Sequence, residues 1–500
     1  MTANPPRVDS ALIAALRADL RTADFTVDGV TALLGPMAAG ALDREQALPA
    51  QRVTATSTAP AATLIRLFTL GDPVDAAEVQ AALPTLGVAG ALELGLVEPE
   101  GDALVALCDV RPYAADDQSW WIASDLAELA TGRPLTVDHV LGIGGASATL
   151  ASWTPRPTVD RALDMGTGSG VQALHLGEHA AHVVVTDLSE RALAYARFNA
   201  ALNEVDWQVR AGSMLDPVAG ERFGLIVSNP PFVITPRTGA VPQFEYRDAG
   251  ASGDAVVADL VRSIGAHLEP GGIAQFLGNW EVPRGVTWRD RITAWLEGTG
   301  LDAWVVQREV QDPAEYAETW ARDGGHHSGT ADFNAMYAAW LDDFEARDVE
   351  SIGFGVITLA RPAAERATFT DLMDVSWPVE SPMGPTILAG IAARTWLAEH
   401  DDDTLLDVAW RCADDVHEER HTLPGAADPS VIVVRQGGGL RRHLGLTTVT
   451  AAYLSVCDGE LTARAAAAAI AGLLDADGDA VRAEIVALIR EAAKDGLLLA

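Results

Sequence analysis

The stretch Gly224-Leu-Ile-Val-Ser-Asn-Pro-Pro-Phe232 carries the strongest information about the fold. Its apolar part predicts a buried strand, which ends at Pro230 because proline has no amide hydrogen for a sheet ladder. Asn229 and Phe232 would then lie at the carboxyl-end rim of a sheet, where open α/β proteins bind ligands. Since two rigid prolines follow Asn229, the stretch predicts a polar group that is held in place at this rim.

The asparagine suits one kind of chemistry. Its side chain offers a carbonyl oxygen, and the backbone carbonyl after it offers a second acceptor. Together they can hold both N–H bonds of one planar amino group, on whose flat face Phe232 could stack. Such a clamp fits amide nitrogens or exocyclic nucleobase nitrogens. The same tripeptide also occurs at Asn4-Pro-Pro with no strand before it, so the surrounding sequence must decide.

Strands alternate with helices on both sides of this stretch. Arg161-Ala-Leu-Asp-Met-Gly-Thr-Gly-Ser-Gly170 predicts a strand that runs into a glycine turn, and His182-Val-Val-Val-Thr-Asp187 predicts a second strand that ends on an acid. Four more strands are predicted at residues 207–212, 271–278, 301–310 and 351–360. The alternation predicts a Rossmann-like α/β domain with seven strands, in a mainly parallel sheet covered by helices on both faces.

The regions that flank this domain are mainly helical. We predict an N-terminal domain at 1–140, the central domain at 141–362 and a C-terminal domain at 363–500. Helices followed by a hairpin predict a winged-helix-like unit in each flanking domain. The segment 311–350 is far longer than a connection between neighbouring strands needs, which indicates a substrate lid. Its histidines, His326 and His327, are interpreted as part of a flexible polar tip and not as metal ligands.

Composition excludes several classes of protein. The chain has 500 residues, 49% of them hydrophobic, and a formal net charge of −35. Such an acidic surface repels phosphate backbones, so a nucleic-acid substrate would need a local basic exception. The three cysteines lie far apart, which indicates neither a disulfide framework nor a thiolate metal site. The sequence shows no apolar run long enough for a membrane span and no signal peptide, which predicts a cytoplasmic protein without a membrane partner.

The glycine turn indicates the kind of cofactor. Its spacing is Gly166-x-Gly168-x-Gly170, with Val171 where a dinucleotide fingerprint has its third glycine, so the pattern disfavours NAD. Asp187 at the end of the next strand is placed to bind the two hydroxyls of a ribose. Asp164 would favour a cationic or amino-bearing group near the turn. S-adenosylmethionine combines a ribose, a sulfonium and an amino acid, and it has no pyrophosphate.

At this point the sequence resembles a known family. Residues 160–280 look like a class I S-adenosylmethionine-dependent methyltransferase, and Asn229-Pro-Pro-Phe232 is similar to the signature of enzymes that methylate planar nitrogens. The longer run Asn-Pro-Pro-Phe-Val-Ile-Thr-Pro236 resembles the release-factor glutamine methyltransferases. Small-domain methyltransferases of ribosomal RNA guanine share the same core. The resemblance covers about a quarter of the chain.

The resemblance implies roles for individual residues. It implies catalytic roles for Asn229, Pro230 and Phe232. It implies cofactor contacts for Asp164, Gly166, Gly168, Gly170, Asp187, Leu188, Ser213, Met214 and Asn229, and no metal. Two positions depart from the pattern. Ser213-Met214 stands where many relatives have an acid for the adenine amino group, and Phe232 replaces the tyrosine common in glutamine methyltransferases.

Three hypotheses follow for the function. The first is a methyltransferase of a protein glutamine or a similar amide, which the acidic surface favours. The second is a methyltransferase of ribosomal or transfer RNA, which Phe232 and the winged-helix-like flanks favour; Arg435, Arg441, Arg442 and His443 form a compact basic cluster that could meet phosphates or answer neighbouring carboxylates. The third is an inactive cofactor-binding scaffold, which the intact set of site residues disfavours.

Overall fold

The N-terminal part of the computed structural model is built from helices and two small sheets. The structure describes residues 3–237, 241, 244, 247–248, 252–324, 326 and 328–500. The first elements are α1 (Ser10–Thr22), α2 (Val27–Leu42), α3 (Leu48–Thr54), α4 (Pro60–Leu64), β1 (Val74–Asp75), α5 (Ala76–Ala82), α6 (Gly87–Leu94), β2 (Val97–Glu100), β3 (Ala103–Ala106), β4 (Asp109–Ala115), β5 (Gln118–Ser124) and α7 (Glu128–Thr131). The side chain of Asp9 caps α1 by accepting hydrogen bonds from the backbone of Ala11 and Leu12.

Strands β1, β3 and β2 form a three-stranded sheet in that order, beside α5 and α6, and β4 pairs with β5 in a separate hairpin. Helices α5 and α6 are followed by the paired strands β2 and β3, and this order of helices and hairpin is the one that the sequence predicted. The winged-helix interpretation itself stays a prediction.

The central part of the chain forms one large sheet with helices on both sides. Its elements are α8 (Gly145–Trp153), β6 (Val159–Met165), α9 (Val171–Leu176), β7 (Ala180–Asp187), α10 (Glu190–Leu202), β8 (Trp207–Ala211), β9 (Phe223–Ser228), α11 (Ala255–Ser263), β10 (Leu268–Pro283), α12 (Trp288–Leu296), β11 (Asp302–Gln311), α13 (Pro313–Asp323), α14 (Ala331–Ala346), β12 (Val349–Ala360) and β13 (Thr370–Asp374). The strand order is β13-β11-β12-β10-β9-β6-β7-β8. Strands β8, β7, β6, β9 and β10 run parallel, whereas β12 is antiparallel to both of its neighbours. The predicted Rossmann-like α/β fold is confirmed.

The sheet has eight strands where the sequence predicted seven. The additional strand is β13, which pairs in parallel with β11 from Ala303 to Gln307. It is only five residues long and carries an acid at Asp371 and another at Asp374, so it lacks the apolar run that identifies a buried strand. Its position at the sheet edge explains why such a sequence is tolerated there.

The segment between β11 and β12 forms the helix pair α13 and α14. Trp340 and Phe344 of α14 and Tyr316 of α13 are buried in one cluster with Val233 and Ile234, which directly follow the asparagine motif. The Tyr316 hydroxyl accepts a hydrogen bond from the Ile234 amide at 2.9 Å, and the Trp340 indole donates to the Ile234 carbonyl at 2.9 Å. His327 lies outside the described residues.

The C-terminal part comprises α15 (Gly384–Glu399), α16 (Asp402–Asp407), β14 (Arg411–Cys412), β15 (Val416–His421), β16 (Val431–Gln436), β17 (His443–Leu446), α17 (Thr448–Leu454), α18 (Ala463–Leu474), α19 (Gly478–Ala493) and β18 (Leu498–Leu499). Its own apolar core joins α16, α18 and α19. Arg394 of α15 connects this part to the sheet edge, because it pairs with Asp371 of β13 at 2.7 Å and with Asp495 at 2.6 Å.

Within the described residues, no single helix is long and apolar enough to cross a bilayer; α1 and α2 reach that length and composition only together, with a bend of 46° between them.

Candidate active site

A cavity of about 620 Å³ opens at the carboxyl ends of β6, β7 and β9. This is the size range of small-molecule sites, and it lies at the edge of the sheet where ligands are expected. Eight of the residues predicted from the sequence line it: Gly166, Gly168, Asp187, Leu188, Ser213, Met214, Asn229 and Pro230. The sheet therefore brings together residues that are up to 64 positions apart, since β6 lies between β7 and β9.

The glycine turn leaves open space on the cavity side. Gly166 and Gly168 have φ values of +71° and +55°, in the left-handed region that favours glycine. A Cβ atom added to Gly168 would find no heavy atom within 4 Å, and one added to Gly166 would find only the Asn229 carbonyl oxygen, at 4.0 Å. A side chain at either position would project into space that a ligand can use.

Asp187 holds the shape of this turn. One of its carboxylate oxygens accepts a hydrogen bond from the Gly168 amide at 2.9 Å, and the other accepts from the Ser189 amide at 2.9 Å. Ser189 in turn caps α10. Asp187 also lines the cavity, and a carboxylate there is the kind of acceptor that a ribose hydroxyl can bind.

Asn229 faces the glycine turn from the next strand. Its side-chain oxygen is buried, and among the described atoms it has no hydrogen-bond partner. A buried acceptor without a partner costs free energy of about 1–3 kcal/mol, which a ligand N–H group would recover. The neighbouring Ser228 hydroxyl donates to the Met165 carbonyl at 2.7 Å and ties the ends of β9 and β6 together.

Three predicted residues do not line the cavity. Asp164 is buried beneath the turn, where it accepts hydrogen bonds from the Thr167 hydroxyl at 2.7 Å and the Ala173 amide at 3.1 Å. Burial raises the pKa of its carboxyl to about 7. Gly170, with φ +93°, permits the close approach of Trp207: a Cβ atom there would lie 2.6 Å from the indole ring.

Phe232 is the third predicted residue that does not line the cavity. Its half-buried ring meets Trp320 of α13 edge-on, with ring centroids 6.3 Å apart. The role predicted for Phe232, stacking on a planar acceptor group, stays a prediction.

The cavity also has walls that sequence reasoning missed. Residues 138–142, immediately before α8, cover one side of it, and Arg191 of α10 lies beside them. Asp248 lines the cavity near Pro231. Residues 138–142 and Asp248 come from irregular segments that show no periodic pattern, and only long-range folding brings them to the site.

Asp248 is held by its surroundings. It accepts hydrogen bonds from the Thr235 hydroxyl and from the Phe244 amide, and its backbone forms a β-bridge with Val233. Burial raises the pKa of this carboxyl. The adjacent Arg247 pairs with Asp323 of α13 at 2.6 Å, so the helix pair α13 and α14 braces this wall of the cavity.

These observations fit S-adenosylmethionine. The open glycine turn is a cradle that a side chain would fill, Asp187 borders it, and Asn229, whose buried side-chain oxygen has no partner among the described atoms, lines the same cavity. A parallel sheet with this strand order and an antiparallel strand near one edge, combined with such a site, defines a class I S-adenosylmethionine-dependent methyltransferase domain.

Comparisons with known proteins agree with this assignment. Residues 142–284 match the family model described as "Methyltransferase small domain", and residues 22–107 match one described as "Domain of unknown function (DUF7059)". The central part of the chain is a class I S-adenosylmethionine-dependent methyltransferase. This confirms the enzyme class and the cofactor predicted from the sequence.

Two of the curated relatives are methyltransferases named for protein substrates. Over 120 residues the chain is 43% identical to the release factor glutamine methyltransferase of Deinococcus radiodurans. The matched stretch is 22% of this chain and 43% of that protein. Over 130 residues it is 35% identical to the ribosomal protein uL3 glutamine methyltransferase of Xanthomonas campestris pv. campestris. This stretch is 24% of this chain and 42% of that protein. The chain thus spans about two fifths of the length of each. A solved methyltransferase from Pyrococcus furiosus covers 43% of this chain and 80% of its own, at 17% identity and a TM-score of 0.26.

No group of three or more His, Cys, Asp or Glu side chains with the arrangement of a metal site occurs among the described residues. The expectation that catalysis needs no metal stays a prediction.

Proposed function

We propose that this protein transfers a methyl group from S-adenosylmethionine to the side-chain amide nitrogen of a glutamine in a protein acceptor of the translation machinery. One observation carries the proposal: Asn229, whose buried side-chain oxygen has no hydrogen-bond partner among the described atoms, lines the same cavity as the open glycine turn. An electron-poor methyl group and a nitrogen held by Asn229 can therefore meet at one edge of the sheet.

The chain's own residues would orient the acceptor. S-adenosylmethionine supplies an electrophilic methyl group when bound. Asn229 would accept one N–H bond of the amide and the Pro230 carbonyl the other, which aims the nitrogen lone pair and favours the positive charge that builds up on nitrogen. Orientation of this kind can lower a barrier by several kcal/mol, on the order of 7–11 at most. Gly166, Gly168, Asp187, Leu188, Ser213 and Met214 would hold the cofactor.

The distribution of charge favours a protein acceptor over RNA. In the basic cluster, Arg435 pairs with Glu419 at 2.8 Å, and Arg442 pairs with Glu491 at 2.8 Å and with Asp495 at 3.2 Å. Two of its three arginines are thus already neutralised by carboxylates of this chain. The net charge of −35 also opposes binding of phosphate backbones. The names of the glutamine methyltransferase relatives support the same choice.

The acceptor would approach past the helix pair α13 and α14. Phe232 and Trp320 present adjoining aromatic rings on that side of Pro231, and a planar amide can pack against such a surface. In this proposal the 311–350 segment is a fixed wall of the acceptor site. The flanking regions 1–140 and 363–500 act as separate domains around the 141–362 enzyme, and the protein works in the cytoplasm, where translation takes place.

The test uses S-adenosylmethionine with a labelled methyl group. Wild-type protein and the Asn229→Ala variant are each incubated with protein and RNA fractions of a lysate that lacks this enzyme. We expect label in one or a few proteins, lost with the variant and recovered as N-methylglutamine after digestion. Label in RNA instead would support a nucleobase methyltransferase. Cofactor binding with label in neither fraction would support an inactive scaffold.

A further inference from the structure

Four of the five residues in the wall of the cofactor cavity at 138–142, here called the strap, lie outside both segments that match family models. The strap includes His139 and Val140, which are buried, and Leu141, which remains 39% exposed. The two matched segments leave out residues 108–141. The position of the strap is set by contacts that can be followed residue by residue.

Asp125 fixes the strap to the enzyme core. Its carboxylate accepts a hydrogen bond from the Val140 amide at 2.8 Å, and its own amide donates to the Val140 carbonyl at 3.1 Å. The same carboxylate accepts from both the Nε and an Nη atom of Arg191 and from the Tyr195 hydroxyl at 2.8 Å. One buried side chain thereby joins the strap to α10, the helix that begins next to Asp187.

The strand before Asp125 is fixed to the same helix. Asn199 of α10 accepts from the Ala123 amide and donates to the Ala123 carbonyl, both at 2.8 Å. Asn203 makes the equivalent pair of bonds with Trp121. Two asparagine side chains, one helical turn apart, thus take the place of a neighbouring strand along the free edge of β5. Asn199 also donates to the Ser169 carbonyl in the glycine turn at 2.8 Å.

We infer that the strap is part of the cofactor site, where it covers the nucleoside end of S-adenosylmethionine, and that Asp125 is the residue that positions it. This inference rests on the proposed function. Val140 and Leu141 line the same cavity as residues 188–192, which border the acid that would bind the ribose. A flat, largely apolar base fits against apolar side chains of this kind. The segment after β5 therefore completes a site that the methyltransferase fold alone leaves open.

The first experiment uses the wild-type protein and S-adenosylhomocysteine, the demethylated cofactor. Hydrogen exchange is followed with and without this ligand, and its affinity is measured by calorimetry. We expect strong protection of peptides that contain 138–142, together with the glycine turn. Binding without protection of the strap overturns this inference alone. No binding at all overturns the proposed function as well.

The second experiment separates positioning from general stability. Asp125→Ala is compared with Asp109→Ala, which also removes a buried acid. Asp109 pairs with Arg111 in the neighbouring β4–β5 hairpin and does not line the cavity. We expect the affinity for S-adenosylhomocysteine to fall tenfold or more in Asp125→Ala and less than twofold in Asp109→Ala. At saturating cofactor, the turnover of Asp125→Ala should stay within about threefold of wild type. Equal losses of affinity in both variants would show that the strap is not positioned by Asp125, and so would unchanged affinity in Asp125→Ala.

Discussion

The two sides of the cavity use their hydrogen bonds differently. On the cofactor side, both oxygens of Asp187 accept backbone hydrogen bonds that hold the glycine turn and the start of α10. On the acceptor side, the Asn229 oxygen is buried without a partner among the described residues. One side is a preformed support for a ligand, whereas the other keeps an unused acceptor for the reacting group. Substitutions on the first side should change affinity and stability, and those on the second should change turnover.

Asn229→Ala should have the largest effect. We expect turnover to fall a hundredfold or more, because the amide nitrogen loses the acceptor that orients it and stabilises its developing charge. Cofactor affinity should stay within about twofold. Single-turnover kinetics and calorimetric titration measure the two quantities. Asn334→Ala, an exposed position on α14, serves as the matched control. Unchanged turnover in Asn229→Ala would remove this residue from the mechanism and erase the contrast between the two sides.

Two alanine substitutions in the glycine turn sharpen the comparison within the cofactor side. Gly170→Ala forces a Cβ atom to within 2.6 Å of Trp207, so overpacking of about 1–3 kcal/mol adds to the cost of positive φ, about 1–2 kcal/mol. Gly168→Ala incurs only the cost of positive φ, but its Cβ atom would enter the cavity. We expect urea denaturation to show the larger loss of stability in Gly170→Ala. Calorimetry should show that Gly168→Ala loses more cofactor affinity for each kcal/mol of folding stability that it loses. The opposite pattern would mean that the turn does not face the cofactor.

Asp187→Asn should weaken cofactor binding by about tenfold. The substitution removes the charge and one acceptor from a carboxylate that holds two backbone amides, and hydrogen bonds to charged groups contribute about 1.5–3 kcal/mol. Turnover at saturating cofactor should change little, because Asn229 is untouched. Asp160→Asn, at the opposite end of β6, provides a control for loss of charge. A large fall in turnover without a change in affinity would contradict the division of roles.

The pH dependence of stability should reveal Asp164. Burial raises the pKa of its carboxyl to about 7, above the ordinary 3.8, so the folded state favours the protonated acid. Its contribution to stability is present below pH 4 and is lost as pH rises through 7. Asp164→Asn should therefore gain stability relative to wild type between pH 5 and pH 8, by about 2–3 kcal/mol, since the folded-state pKa lies about two units above pH 5 and each unit corresponds to about 1.4 kcal/mol. Urea unfolding at the two pH values measures this, and a constant difference would show that Asp164 is already ionised in the folded protein at pH 5.

The sequence predicted the parts of the fold that local patterns encode. The buried strands β7 and β9 have continuous apolar runs, and β6 runs directly into the glycine turn. For the same reason the sequence located Asn229, Asp187 and the glycine turn, which all stand at the carboxyl end of a strand. It did not predict β13, whose five residues lack an apolar run and pair only because β11 leaves an open edge.

Only the tertiary structure decided what surrounds these residues. The amino-acid sequence by itself determined the enzyme class. Glycines, an acid or an asparagine at the carboxyl end of a strand come to the same edge in any parallel sheet, where they can bind one ligand. The strap at 138–142, its anchor Asp125 and the wall at Asp248 depend on contacts between segments far apart in the chain, such as that between Trp121 and Asn203, which are 82 residues apart. No local pattern specifies such contacts, since they form only when the N-terminal helices and the helix pair α13 and α14 pack against the sheet.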